Sequence, residues 1–267
     1  MKDKRVLCVS SEVVPYLPET EMAKMSFEAA RMVHGKSGQT RIFMPRFGVI
    51  NERRHQLHEV IRLSGMNMII NDMDMPLIIK VASIPKERMQ VYFIDNEEYF
   101  KRKATYAGAD GELFDDNDER MIFFVKGVVE TVKKLNWAPD IIHVHGWMAS
   151  LLPIYLKEYY KDDALFSNSK IVTSLYNNGF SGALNQELKD KVGFDKVENL
   201  ESINDPIHEN LQKIAIENSD AIIIGSEDLS ADLIDYAKSF NKPVLDYHPE
   251  DDFADAYLEF YQTQILQ

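Results

Sequence analysis

Residues 5–25 read RVLCVSSEVVPYLPETEMAKM. The run from Arg5 to Ser10 is short, apolar and bounded by polar residues, as a buried strand is. After a loop, Met22, Met25, Ala29, Met32 and Val33 recur at helical spacing. A strand that feeds a helix through a loop at the start of an α/β chain is where such folds seat a phosphate. The helix N-terminus offers unpaired N–H groups and the positive end of its dipole. Here the loop holds Pro18, Glu19, Thr20 and Glu21, with no glycine and no cation before Lys24. A carboxylate held ~4 Å from an incoming phosphate costs about 1–4 kcal/mol, depending on the local dielectric. The same residues also make good helix-start chemistry, with Thr20 as N-cap and Glu21 in the first turn. Both readings lead away from a bound sugar-nucleotide.

The wider stretch SSEVVPYLPETEMAKMSFEAARMVHGKSGQTRIFMPRFG, residues 10–48, resembles the opening of starch and bacterial glycogen synthases. That family runs S-S-E-V-x-P-F/Y-x-K-T-G-G-L-A-D, then a helix, then a strand ending M/L-P-R-Y/F. Ser10, Ser11, Glu12, Val13, Pro15, Tyr16, Ala23, Met44, Pro45, Arg46 and Phe47 keep the pattern. The family's Lys-Thr-Gly-Gly falls on Pro18, Glu19, Thr20 and Glu21, a degenerate donor loop.

Three further stretches carry the resemblance. PDIIHVHGWMASLLPIYLK, residues 139–157, follows P-D-x-x-H-x-H-D-W-H-x-x-L-x-P-x-Y-L, with Gly146 at the family's Asp and Met148 at its last His. The resemblance places His145 at the sugar-transfer position, and Trp147 could stack on a sugar ring. A strand-end imidazole bonded to backbone is the plainer account of His145. His143 and His145, two apart on a strand, share a face as metal ligands can, but no further ligand at fitting spacing completes a site, so no metal is expected. Residues 94–124 resemble the family's aromatic and acidic segment, which implies that Tyr99, Tyr106, Asp116 and Asn117 border an acceptor glucan. Capping and surface-loop roles explain the same residues. KIVTSLYN, residues 170–177, keeps the family's Asn at Asn177 and has Tyr176 at its His. NLQKIAIENSDAIIIGS, residues 210–226, stays in register.

Strands alternating with helices along the chain predict an α/β fold, a doubly wound and mostly parallel Rossmann-like sheet. The resemblance implies the N-terminal half of a GT-B glycosyltransferase. Residues 57–94 break into short β-like runs and read as a β-meander insertion. Helices are expected over 97–103, 118–135, 148–159, 206–218 and 229–238, with Asp116 or Asn117 as the cap of the second and Glu119 as the capping-box partner of Asp116. Residues 250–266 have an aromatic face and predict a docking helix that closes the domain or makes a dimer contact. The family's second domain carries R-L-x-x-Q-K-G, which no stretch here matches, so the expectation is one domain, residues 1–267.

With 267 residues, 45% apolar, a sizeable core is within reach. The formal net charge of −13 argues against nucleic acid or an anionic membrane as partner and leaves uncharged polysaccharide open. Cys8 is the only cysteine and reads as a small buried hydrophobe, which excludes an internal disulfide. No charged-then-apolar leader and no apolar run near ~18 residues occur, and a cytoplasmic protein is expected. The composite expectation is a relative of starch/glycogen synthase without a cofactor. It binds α-1,4-glucan or an enzyme of glycogen metabolism and does not transfer glucose on its own. The alternative is an ADP- or UDP-glucose-dependent glucosyltransferase completed by a partner chain or dimer.

Overall fold

The apolar run Arg5–Ser10 forms β1, and every residue after Arg5 is buried, as a strand covered on both faces requires. The computed structural model describes residues 1–266. After β1 come α1 (Glu21–Gly35), β2 (Gln39–Pro45), α2 (Glu52–His55), β3 (His58–Glu59), β4 (Met66–Ile70), β5 (Met73–Ser83), β6 (Gln90–Asp95) and α3 (Glu97–Phe100). The long helix α4 (Asn117–Leu135) leads to β7 (Ile141–His145), α5 (Leu152–Lys157), β8 (Lys170–Leu175), α6 (Leu188–Phe194) and α7 (His208–Asn218). The chain continues with β9 (Ala221–Ile224), α8 (Ala231–Lys238), β10 (Val244–Leu245) and α9 (Phe253–Phe260).

The sheet runs in the order β10-β9-β8-β7-β1-β2-β6-β5-β3, with β4 paired to β5. All strands from β6 across to β10 are parallel. The chain winds from β1 outward through β2 to β6, then returns to the other side of β1 with β7. This is the α/β, doubly wound arrangement read from the sequence. Its direction reverses between β1 and β7, where Ser10 lies level with His145. Ligand sites of open α/β sheets lie at that reversal, outside the strands' carboxyl ends.

The β-rich segment differs from the expected meander. β3 and β4 pair only with β5, antiparallel, while β6 is antiparallel to β5 on one side and joins the parallel sheet beside β2 on the other. The reason is in the residues. Val91–Asp95 is buried at every position, which suits a strand covered on both faces, whereas Met73–Lys80 alternates and offers one face. The 148–159 helix is also shorter than expected. A single tight turn at Trp147–Ala149 precedes α5, and Pro153 takes an early helical position where its missing N–H costs nothing. At the start of α4 the capping box is absent. Asp116 makes no cap bond and turns its carboxylate to Arg102, at 2.9 and 2.5 Å. Glu119 instead accepts from Tyr99 (2.9 Å) and pairs with Lys191 (2.8 Å).

Segment 250–266 docks on its own domain. Phe253, Tyr257 and Phe260 of α9 are buried, as are Tyr261 and Ile265 in the wider turn that follows. Their aromatic face enters the main core, which includes β1 and α1 residues.

A buried ion pair ties the layers together. Lys126 of α4 lies 2.6 Å from Asp195, just past α6, and also donates to the Ile69 carbonyl at 2.8 Å. The Tyr155 hydroxyl donates to the same carboxylate at 2.8 Å. Both charged side chains are under a tenth exposed. Removing one partner of such a pair strands the other charge away from water. Asp195→Ala is expected to lower the unfolding free energy by about 3–5 kcal/mol, measured by urea denaturation.

Candidate functional site

The reversal between β1 and β7 gathers the loop after β1, the N-terminus of α1 and the loops after β7, β8 and β9. Glu12 is its hub. The Thr20 hydroxyl donates to Glu12 Oε2 (2.7 Å) while its oxygen accepts the Ala23 N–H (3.1 Å), so Thr20 caps α1 as its residue type predicts. The Tyr106 hydroxyl donates to Glu12 Oε1 (3.0 Å), with Ser11 Oγ 2.8 Å away. The Ser26 hydroxyl donates to the Glu12 carbonyl at 2.9 Å.

The pole of α1 is already occupied. Glu21 opens the helix and accepts a hydrogen bond from the Ser226 hydroxyl, which lies after β9. Lys24, the nearby cation, pairs with Glu19 at 3.4 Å and with Glu250. The Glu250 hydrogen bond leads the causes that raise the Lys24 pKa. A phosphate at this pole would meet two carboxylates and a lysine already engaged.

Met22 fills the space beneath. Gly146 has φ +74°, and a Cβ there would lie 2.3 Å from the Met22 sulfur. The side chain that the family carries at this position has no room while Met22 keeps its place.

His145 is fully buried. Its Nδ1 lies 2.9 Å from the Tyr176 hydroxyl, and its Nε2 has no hydrogen-bond partner. His143 lies alongside, with ring centroids 3.8 Å apart. Its Nε2 is 2.7 Å from Ser174 Oγ and its Nδ1 2.5 Å from the Tyr261 hydroxyl. Burial pushes His145 down to about 3, and burial, then the neighbouring His145, holds His143 well below its ordinary range. Both imidazoles are uncharged at neutral pH. Among the described residues no group of three His, Cys, Asp or Glu side chains is placed to hold a metal.

The other residues singled out in the sequence separate into three groups. Trp147 sits between Tyr106 and Phe180, with centroids 5.0 and 4.9 Å away, and is buried. Asn117 is buried against the same aromatics, donating to the Tyr106 carbonyl (2.8 Å) and accepting from Arg120 (2.5 Å). His145 is packed apart from them, against His143 and Tyr176. Tyr99 and Asp116 serve the 97–116 segment through Glu119 and Arg102. Asn177 is exposed on the rim, where its amide donates to Asp228 (2.9 Å). Pro18 and Glu19 are exposed beside it on the α1 loop.

A cavity of about 720 Å³ opens next to this crevice. Pro15, Tyr16 and Pro18 form one wall, Ala104 to Ala107 the other, and Asn51, Arg54 and His55 line it as well. Sequence reading did not single out Glu12, Met22, Ser226 or the α2 residues for this region. Glu12 and Ser226 both stand inside matched motifs, whereas α2 carries no local mark.

The crevice at the reversal point of a doubly wound sheet, with these loops around it, defines a Rossmann-like half of the GT-B type. Residues 5–242 match the family described as the starch synthase catalytic domain, and the chain belongs to that family. It is 33% identical over 239 residues to the glycogen synthase of Chlorobium luteolum, and 38% identical over 174 residues to that of Chlorobium limicola. These alignments cover 87% and 65% of this chain but 47% and 36% of those proteins, so the chain spans less than half their length. The catalytic domain of starch synthase IV from Arabidopsis thaliana, bound to ADP and acarbose, shares the fold. Its TM-score is 0.71 at 16% identity, covering 95% of this chain and 53% of that one. No helix among the described residues is long and apolar enough to cross a membrane.

The neutral histidine pair sets a pH dependence. In the unfolded chain each imidazole binds a proton near its ordinary value of 6.5, while in the fold it does not. The unfolded state therefore holds more protons below that pH, and stability falls as pH drops from 6.5 toward 5. Each histidine contributes a slope approaching about 1.4 kcal/mol per pH unit. Urea unfolding across this window measures the slope, and His145→Gln is expected to reduce it by one histidine's share.

Proposed function

We propose that this chain binds α-1,4-glucan in the cavity between residues 15–18 and 104–107, and that its crevice does not take a sugar-nucleotide diphosphate. The observation that carries this reading is the self-occupied pole of α1. Glu21 is held by Ser226 and Lys24 by Glu19 and Glu250, at the place where a related loop would present glycine N–H groups and a lysine. Transfer of a glycosyl group needs positive charge on the departing diphosphate. The buried, neutral His145 supplies none.

Support for glucan comes from the adjoining cavity. Its walls combine Tyr16 and Tyr106 with Asn51, Thr105 and Arg54, an apolar surface with a few polar groups that suits a sugar. Its volume of about 720 Å³ lies within the usual range for small-ligand sites. The loop that forms its second wall is the one whose resemblance implied an acceptor glucan.

Isothermal titration with a maltooligosaccharide is expected to give saturable heat, and Thr105→Trp, which fills the cavity, to weaken binding by about tenfold or more. Glucose incorporation into glycogen from ADP- or UDP-glucose by the purified chain is expected to stay at background. Absence of heat overturns glucan binding, and incorporation overturns the closed donor seat.

A further inference from the structure

Tyr16, Arg54 and His55 line two cavities at once. One is the groove assigned to glucan. The other, of about 560 Å³, runs from there to the turn between β5 and β6. Its charged lining is Arg54, Lys86 and Arg88, with Gln56, Ser83 and Gln90 as neutral polar groups, and no carboxylate lines it. In a chain of formal net charge −13 this cavity inverts the overall balance.

These cations are also without counter-charges. Neighbouring basic groups are neutralised: Arg46 and Lys80 share Asp95 and Glu52. Among the described residues, Arg54, Lys86 and Arg88 have no carboxylate within the 4.0 Å of an ion pair. Lys86 and Arg88 stand on a turn closed by the Ile84 N–H donating to the Met89 carbonyl at 2.9 Å. The Tyr16 hydroxyl, on a side chain 5% exposed at the junction of the two cavities, has no hydrogen-bond partner.

Two guanidinium groups and an ammonium around one cavity match a dianion better than a single carboxylate. A phosphate monoester carries about −1.5 to −2 charges and three acceptor oxygens, and guanidinium forks pair with it in bidentate fashion. The shared Tyr16–Arg54–His55 border joins this anion seat to the sugar groove, so one ligand can fill both.

We propose that the basic cavity holds a phosphate monoester carried on the glucan in the adjoining groove, so that the chain selects phosphorylated over neutral α-glucan. The inference rests on the glucan reading of that groove.

Titration of the whole chain with three probes tests it: a maltooligosaccharide, the same oligosaccharide bearing one phosphate monoester, and inorganic phosphate. The phosphorylated sugar is expected to bind at least about tenfold tighter than the neutral one. That advantage should shrink as salt rises from about 0.05 to about 0.5 M, and the double variant Lys86→Glu, Arg88→Glu should remove it. Equal affinity for the phosphorylated and neutral sugars overturns the inference and leaves the glucan reading intact. Inorganic phosphate binding as tightly as the phosphorylated sugar also overturns it, since the sugar then adds nothing. Heat from the phosphorylated sugar alone supports the inference while removing neutral glucan as a ligand. No heat from any probe overturns both.

Discussion

The N-terminus of α1 is satisfied by the chain itself, and the organisation of the crevice follows from that. A helix start needs acceptors for its N–H groups and favours negative charge. Thr20 supplies the acceptor, Glu21 the charge, and Glu12 holds Thr20 and Tyr106 together. Because Tyr106 also lies against Trp147, the loop after β1 and the 104–107 segment are joined into one unit. This unit separates a filled crevice on one side from an open groove on the other.

Packing beneath that unit reinforces the division. Met22 takes the volume beside Gly146, and Tyr176 covers His145 with a hydroxyl bond. Tyr261, from the turn after α9, closes over His143. The two imidazoles at the sheet's reversal point are thus held neutral and away from solvent. The unpaired cations lie outside it, on the far border of the groove. The electrostatic character of the molecule is segregated: acid at the helix pole, base beside the cavity.

Much of the fold was legible in local pattern. The β1–loop–α1 unit, the Thr20 cap and the alternation of strand and helix follow from spacing and cap chemistry within a few residues. Departures arose where one local pattern fits two environments. Val91–Asp95 reads equally as an antiparallel or a central strand until its neighbours are known, and its burial on both faces places it beside β2. Asp116 precedes α4 in the right place for a cap, yet Arg102 offers a full opposite charge, a stronger partner than a backbone N–H. For the site, the family motifs led to His145, Trp147, Tyr106 and Asn117; the structure packs Trp147 and Asn117 against Tyr106, and sets His145 apart against His143 and Tyr176. The burial of His145, Trp147 and Asn117 was not readable from residue type.

What the sequence alone determined is the class of sheet, the start of α1 and the acidic character of the loop before it. Those depend on periodicity and on contacts between residues a turn apart. Tertiary structure alone decided which groups meet: Ser226 with Glu21, Tyr261 with His143, Arg54 with Lys86 and Arg88. These partners lie tens to hundreds of positions apart. Short-range propensity says nothing about such pairs, because chain winding and core packing bring them together.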